Sequence, residues 1–176
     1  LLLGAGVAIA LCVPAYTAGP YPLAYRGWGD VCVLLFYGVI PVCLTYYVQA
    51  GTVTATTAWI SVALGLLSVN ILLVNNVRDQ EQDAAAGKRT TVVRFGRRFG
   101  TTLYLVCAVL AVACSWPAYF YRGAYTWLLF LIFLAFELVT WHDLRRLSGS
   151  DLNRVLGLTA RNIWIYTLLL VSLLVF

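Results

Sequence analysis

Methionine is absent from this chain, histidine occurs once, and charged side chains make up only 11% of the 176 residues. Without methionine there is no initiator, and the sequence opens inside an apolar run from Leu1 to Ala10, so it reads as a piece of a longer protein. Residues 1–16 lack a basic n-region and a small-residue cleavage site, which argues against a signal peptide and for the remainder of a transmembrane helix. The scarcity of charge excludes an ordinary soluble domain, which carries about 25%. A mean hydropathy of +0.86 points instead to a membrane protein. The lone histidine, His142 beside Asp143, cannot build a metal site by itself and reads as an interfacial residue. Cys12, Cys32, Cys43, Cys107 and Cys114 all lie in apolar stretches, with no CxxC and no metal-ligand spacing. They read as small buried hydrophobes, not as a disulfide framework. The net charge of +5 would suit nucleic acid, but the basic residues sit in short loops between apolar runs. That distribution favours topology determinants and an anion site over a nucleic-acid surface. The sequence shows no internal repeat, low-complexity segment or soluble domain.

A helix needs about 20 residues to cross the hydrocarbon core. Six candidate spans are present, at 1–16, 31–50, 54–77, 101–121, 124–141 and 160–176. The expected fold class is all-α, a polytopic transmembrane helix bundle forming a single domain over 1–176. Pro41 predicts a kink in the second span, which a membrane bundle tolerates. Connections 17–30, 78–100 and 142–159 are longer and polar, whereas 51–53 and 122–123 are tight. Of the 12 Lys and Arg residues, Arg122 alone falls on the side away from those longer loops. This positive-inside bias places the 78–100 loop in the cytoplasm. Aromatic residues fit interfacial belts, and mid-span Tyr46 and Tyr47 read as packing residues before cavity-lining ones.

The loop after the third span holds the chemistry. Val74 to Gly96 reads VNNVRDQEQDAAAGKRTTVVRFG and follows directly on an apolar run. On a helical wheel with Asn75 as origin, Asp79 falls at about 40°, Asp83 at about 80° and Asn76 at about 100°. Four oxygen-bearing side chains therefore share one face, and Glu81 points roughly the opposite way. Hard oxygen ligands suit Mg²⁺, which is held by one or two carboxylates plus substrate phosphates. Lys88, Arg89 and Arg94 follow and can hold the phosphate oxygens. The competing reading is a solvated loop whose bases only mark the cytoplasmic side. A stripe of carboxylates and amides on one face is more than such a loop requires.

Asn75-Asn76-x-Arg78-Asp79-x-x-x-Asp83-x-x-x-Gly87-Lys88-Arg89-Thr90 resembles the second aspartate-rich motif of the UbiA-type aromatic prenyltransferase superfamily. It is most similar to the branch that prenylates 1,4-dihydroxy-2-naphthoate in menaquinone synthesis. The segments from Gly19 to Asp30 and from Leu152 to Ala160 fit the same branch, and the similarity covers nearly the whole chain. The resemblance implies a fold of nine transmembrane helices with two aspartate-rich motifs. The spans here would then be helices four to nine, and the first motif, of Asn-x-x-x-Asp type, lies outside this sequence. The fragment is accordingly expected to be inactive alone, and the protein it came from active.

The implied reaction is Mg²⁺-dependent transfer of a polyprenyl group from an allylic diphosphate to the naphthoate, with loss of CO₂, giving demethylmenaquinone. Under that resemblance Asp79 and Asp83 are catalytic Mg²⁺ ligands, with Asn75 and Asn76 as further oxygen ligands or orienters. Lys88 and Arg89 are the diphosphate clamps. Arg78 and Arg94 are secondary substrate-binding candidates that serve topology equally well. Tyr25 and Arg26 either cap the site and hold the acceptor carboxylate or belong to a turn shaped by Pro20, Pro22, Gly27 and Gly29. Glu137, the one acid deep in a span, is a functional candidate by default; a turn from the cytoplasmic end, it can equally pair with an arginine. The expected partners are a polyprenyl diphosphate, an aromatic acid and the lipid bilayer, in a bacterial inner membrane. Other acceptors (4-hydroxybenzoate, homogentisate, a haem or a chlorophyllide) share the metal site. A small transporter would instead place charges at the bilayer midplane.

Overall fold

The computed structural model describes residues 22–120, 122, 123 and 125–175, together with Gly4, Gly6, Val7, Ile9, Ala10, Cys12 and Tyr16. The expected span over 1–16 falls largely outside the described residues. Among the described residues there is no strand. A 3-10 turn over Leu23–Arg26 leads into α1 (Gly29–Ala50), and α2 spans Ala55–Arg78. Two short helices follow, α3 (Gln80–Ala85) and α4 (Thr91–Phe95). Then come α5 (Arg97–Cys114), α6 (Trp116–Phe120), α7 (Trp127–Arg146) and, after a 3-10 turn over Gly149–Asp151, α8 (Leu152–Val175). Among the described residues, 5 helical segments are long and apolar enough to cross a membrane: α1, α2, α5, α7 and α8 with its preceding turn. The chain is an all-helical, multi-pass membrane protein.

Helix boundaries follow local chemistry. Within α1 a π-helical turn over Leu35–Val39 precedes Pro41. Proline lacks the N–H that would bond Tyr37, and its ring presses on that carbonyl, so the backbone widens by one residue per turn just upstream. The fourth apolar stretch divides. α5 already starts at Arg97, released from α4 by Gly96, and ends at Cys114, because Pro117 cannot continue it. α7 continues past 141 to Arg146, and α8 begins at Leu152 instead of at 160. The buried positions Leu152, Val155, Thr159, Asn162 and Tyr166 recur every three or four residues along α8. This single inward stripe runs through the polar start of the helix, where hydropathy alone is low.

α2 is the central helix and packs on α1, α5 and α8. Its crossing with α1 is set by two glycines. A Cβ on Gly38 would lie 2.7 Å from the Ser61 carbonyl oxygen, and one on Gly65 would lie 2.6 Å from that of Leu34. Lipid tails are as apolar as leucine, so close backbone approach and dispersion, not water exclusion, hold such helices together. One core cluster gathers Leu67, Ala111, Phe130, Phe133 and Tyr166. A second, nearer the polar loops, gathers Leu73, Val77, Val92, Tyr104, Leu144 and Val155. Exposed Val109, Ile132, Val139, Trp164 and Leu168 supply the apolar exterior expected of lipid-facing helices.

Candidate active site

The last turns of α2 deliver Asn75 and Asn76, and the helix breaks at Asp79, whose backbone leaves helical geometry at φ −99°, ψ 12°. The break is slight. The Asp79 N–H still donates to the Asn75 carbonyl at 2.9 Å, and the Asp83 N–H donates to that of Asp79 at 2.8 Å. α3 thus continues the path of α2 closely enough that Asn75, Asn76, Asp79 and Asp83 line one pocket of about 360 Å³. Lys88 and Tyr25 line it as well. Glu81 is exposed.

Asp79 and Asp83 each have a cationic partner. The Arg78 Nε and Nη2 donate to Asp79 Oδ1 and Oδ2, both at 2.7 Å, and Arg78 Nη1 donates to Asn153 Oδ1 of α8 at 2.8 Å. Lys88 Nζ donates to Asp83 Oδ1 at 2.7 Å. The hydrogen bonds from Arg78, helped by the more distant Lys88 charge, hold the Asp79 carboxyl below the usual aspartate range. The Asp83 carboxylate pushes the Lys88 ammonium up. Asp79 and Lys88 are therefore held in their charged forms at neutral pH.

The loop before α1 closes over this site. The Arg89 N–H donates to the Tyr25 carbonyl at 2.9 Å, and Lys88 Nζ stands 5.9 Å from the centroid of the Tyr25 ring. Gly27, at φ +83°, makes the turn possible, since a Cβ there would lie 2.7 Å from the Arg89 carbonyl oxygen. Arg94 reaches the same turn, its Nη1 3.3 Å from where that Cβ would be. Arg26, Arg89 and Arg94 have exposed side chains and are not among the described residues lining the pocket. The structure therefore brings Asn75, Asn76, Asp79, Asp83, Lys88 and Tyr25 together. It sets Arg78 behind Asp79 and leaves the other three arginines at the rim.

Four lining residues have no role assigned from the sequence: Asp30 and Thr90, which end the two motif segments, and Thr91 and Tyr16. Thr91 Oγ1 donates to Asp30 Oδ2, fastening α4 to α1, and Thr90 caps α4 by accepting from the Val93 N–H at 3.2 Å. A threonine two residues before an apolar pair is a legible cap signal; the Asp30 contact, 61 positions apart in sequence, is not.

Beside the polar pocket lies an apolar cavity of about 610 Å³, lined by Leu23, Val33, Phe36, Ile71 and others, and sharing Tyr16, Leu72 and Asn75 with it. Glu137 lines neither. It is fully buried beside Tyr104 and Asn162, and neither completes a hydrogen bond of normal geometry to it.

The donor set fits a hard divalent cation. Among the described residues no group of three His, Cys, Asp or Glu side chains is close enough to hold a metal. The carboxylates of Asp79 and Asp83 and the amides of Asn75 and Asn76 line one pocket, which matches the way Mg²⁺ is held when a substrate phosphate completes its shell.

Comparison with known proteins gives the lineage. The chain is 35% identical over 139 residues to a 1,4-dihydroxy-2-naphthoate octaprenyltransferase of Haemophilus influenzae, covering 79% of this chain and 45% of that protein. It is 39% identical over 117 residues to the Escherichia coli protein of the same name, covering 62% and 37% respectively. A 2-carboxy-1,4-naphthoquinone phytyltransferase of Synechocystis is 30% identical over 137 residues, covering 72% and 44%. The chain thus spans less than half the length of these relatives. No solved structure matches it. The model of the UbiA prenyltransferase family matches residues 1–168, and the chain belongs to that family.

Proposed function

We propose that the complete protein transfers a polyprenyl group from an allylic diphosphate to 1,4-dihydroxy-2-naphthoate, with loss of CO₂, to give demethylmenaquinone in its reduced, quinol form. The observation that carries this reading is the pair of joined cavities. A polar pocket with Asp79, Asp83, two amides and Lys88 opens beside an apolar cavity, sharing Tyr16, Leu72 and Asn75. A substrate with a charged diphosphate head and a long hydrocarbon tail needs both at once. The relatives named above supply the acceptor class, a carboxylated naphthalene ring.

In this reading Asp79, Asp83, Asn75 and Asn76 hold Mg²⁺. Bound there, the metal supplies Lewis-acid neutralisation of the departing diphosphate. Lys88 moves between Asp83 and a phosphate oxygen, since one ammonium can donate to both. Tyr25 covers the mouth and, with the apolar walls, keeps water from the developing allylic cation. The Asp-rich segment faces the cytoplasm of a bacterial inner membrane, as the distribution of basic residues favours.

The test uses membranes carrying the complete protein, an all-trans polyprenyl diphosphate, Mg²⁺ and a mixture of naphthoate and 4-hydroxybenzoate, with products identified by mass. A prenylated naphthoquinol lacking the carboxylate, and its loss on chelation of the metal, is the expected result. A prenylated benzoate would move the protein to another acceptor. No product from either would overturn the reading.

A further inference from the structure

The polar pocket contains a third carboxylate. Asp30, in the first turn of α1, lines it together with Asp79 and Asp83. Its surroundings differ from theirs. Asp79 is bridged to Arg78 and Asp83 to Lys88, whereas Asp30 accepts one hydrogen bond, at Oδ2, from the neutral Thr91 hydroxyl. Its Oδ1 is buried and has no partner among the described residues. An ionised carboxylate can only accept, so a buried oxygen without a donor is an unfilled requirement. The carboxyl torsion of aspartate is broad and nearly two-fold, so either oxygen can turn toward the pocket.

Position adds to this. Leu72 and Tyr16 line both cavities and stand 3.4 and 3.5 Å from where a Cβ on the adjacent Gly29 would be, which sets Asp30 near their seam. The titratable groups around it are Tyr16, Cys32 on its own helix, Cys107 from α5, and Asp79, Asp83 and Lys88 across the pocket. α2 contributes the neutral amides of Asn75 and Asn76. Among the described residues no cation bonds Asp30. A carboxylate paired to a guanidinium or ammonium is a weakened proton acceptor. Of the pocket's carboxylates, Asp30 alone is unweakened in this way.

We propose that Asp30 accepts the proton of a hydroxyl on the aromatic substrate during prenyl transfer, an assignment that rests on the function proposed above. The hydroxyl O–H bond breaks and its proton passes to the carboxylate while the carboxyl-bearing ring carbon bonds to the allylic carbon. The C–O bond to diphosphate breaks in the same phase, and diphosphate leaves with the electron pair. Departure of CO₂ from that ring carbon returns its electron pair to the ring system, and the ring oxygen recovers the proton from Asp30. The carboxylate is regenerated, and no oxidant or further reactant is consumed.

The experiment measures kcat against pH in liposomes for the complete wild-type protein, D30N and T91V, with polyprenyl diphosphate, Mg²⁺ and the naphthoate. D30N is expected to lose about 10²-fold or more in kcat and the acid limb of its profile, with KM for the diphosphate within about twofold. T91V is expected to keep that limb and lose less than about tenfold. Should D30N not fold, the wild-type protein is assayed with an acceptor whose hydroxyls are methylated, and the acid limb should vanish. A persisting limb with the ether, or D30N within about threefold of wild type with its limb intact, overturns the assignment. So does T91V falling as far as D30N with an unchanged limb, because Asp30 would then only fasten α4. A wild-type protein that prenylates no naphthoate removes the functional reading itself, and this assignment with it.

Discussion

At the scale of single residues the site is a set of ion pairs waiting to be exchanged. The Asp83 side chain is 10% exposed and its bonded cation, Lys88, is 35% exposed. Asp83 is buried, but Lys88 reaches solvent, whose screening holds the pair's contribution to folding to about 1 kcal/mol. Its value lies in what Lys88 can do once a phosphate arrives. K88Q is therefore expected to raise KM for the polyprenyl diphosphate about tenfold or more, while the unfolding temperature shifts by only a few degrees. A collapse in unfolding temperature, with KM unchanged, would make Lys88 a structural residue. D79N and D83N are expected to lower kcat by about 10²-fold or more at saturating Mg²⁺; full activity in both would remove them from the metal. The pH dependence has a sign at each end. Asp79 is depressed, so its pairing stabilises above the unfolded aspartate value and is lost as pH falls through the folded one. Lys88 is raised, so its pairing is present below the unfolded lysine value and is lost as pH rises through the folded one. Thermal unfolding at neutral pH is thus expected to be insensitive to small pH changes from these two pairs. The stripe of Asn75, Asn76, Asp79 and Asp83 was legible because helical spacing puts oxygens on one side. Which way Arg26, Arg89 and Arg94 turn was not, since a loop has no period to read.

At the scale of helices, hydropathy located α2 to within a residue at each end, and the core of α7 but not its polar end, which runs on to Arg146. α8 starts among Asn153 and Arg154, where inward leucine and valine at helical spacing carry the helix through a hydrophilic stretch. The π-turn before Pro41 was foreshadowed only as a kink, because a proline says where a helix must yield and not how. The glycine crossing of α1 and α2 was invisible in the sequence, since two glycines 27 positions apart acquire meaning only when their helices meet. It also makes an element-scale prediction. G65L drives a side chain into the Leu34 carbonyl and should splay α1 from α2, with loss of about 1–3 kcal/mol or more from overpacking. G157L, at a glycine with nothing within 4 Å of its Cβ, is the matched control and should leave the unfolding temperature nearly unchanged. Equal loss in both would show that the crossing carries no special constraint.

At the scale of the whole molecule, the charged chemistry is gathered at one end of the bundle and the opposite end is nearly bare of it. That polarity was readable from the basic residues before any coordinate, and it predicts sidedness. A single cysteine introduced at exposed Glu81, in a background with the native cysteines replaced, should react with a membrane-impermeant maleimide only from the cytoplasmic side. Reaction from the outside alone would invert the topology.

The guanidinium of Arg78 grips both oxygens of Asp79 and also the amide oxygen of Asn153, at the start of α8. Anything that draws Asp79 away from Arg78 therefore alters the anchorage of α8, which begins 73 positions later in the chain. Linkage is reciprocal, so whatever change a ligand on Asp79 makes to the anchorage of α8, the same change in that anchorage alters the ligand's affinity by an equal coupling free energy. The first turn of α8 is then a remote gauge of occupancy, read by amide exchange at Asn153 and Arg154 without following turnover at all.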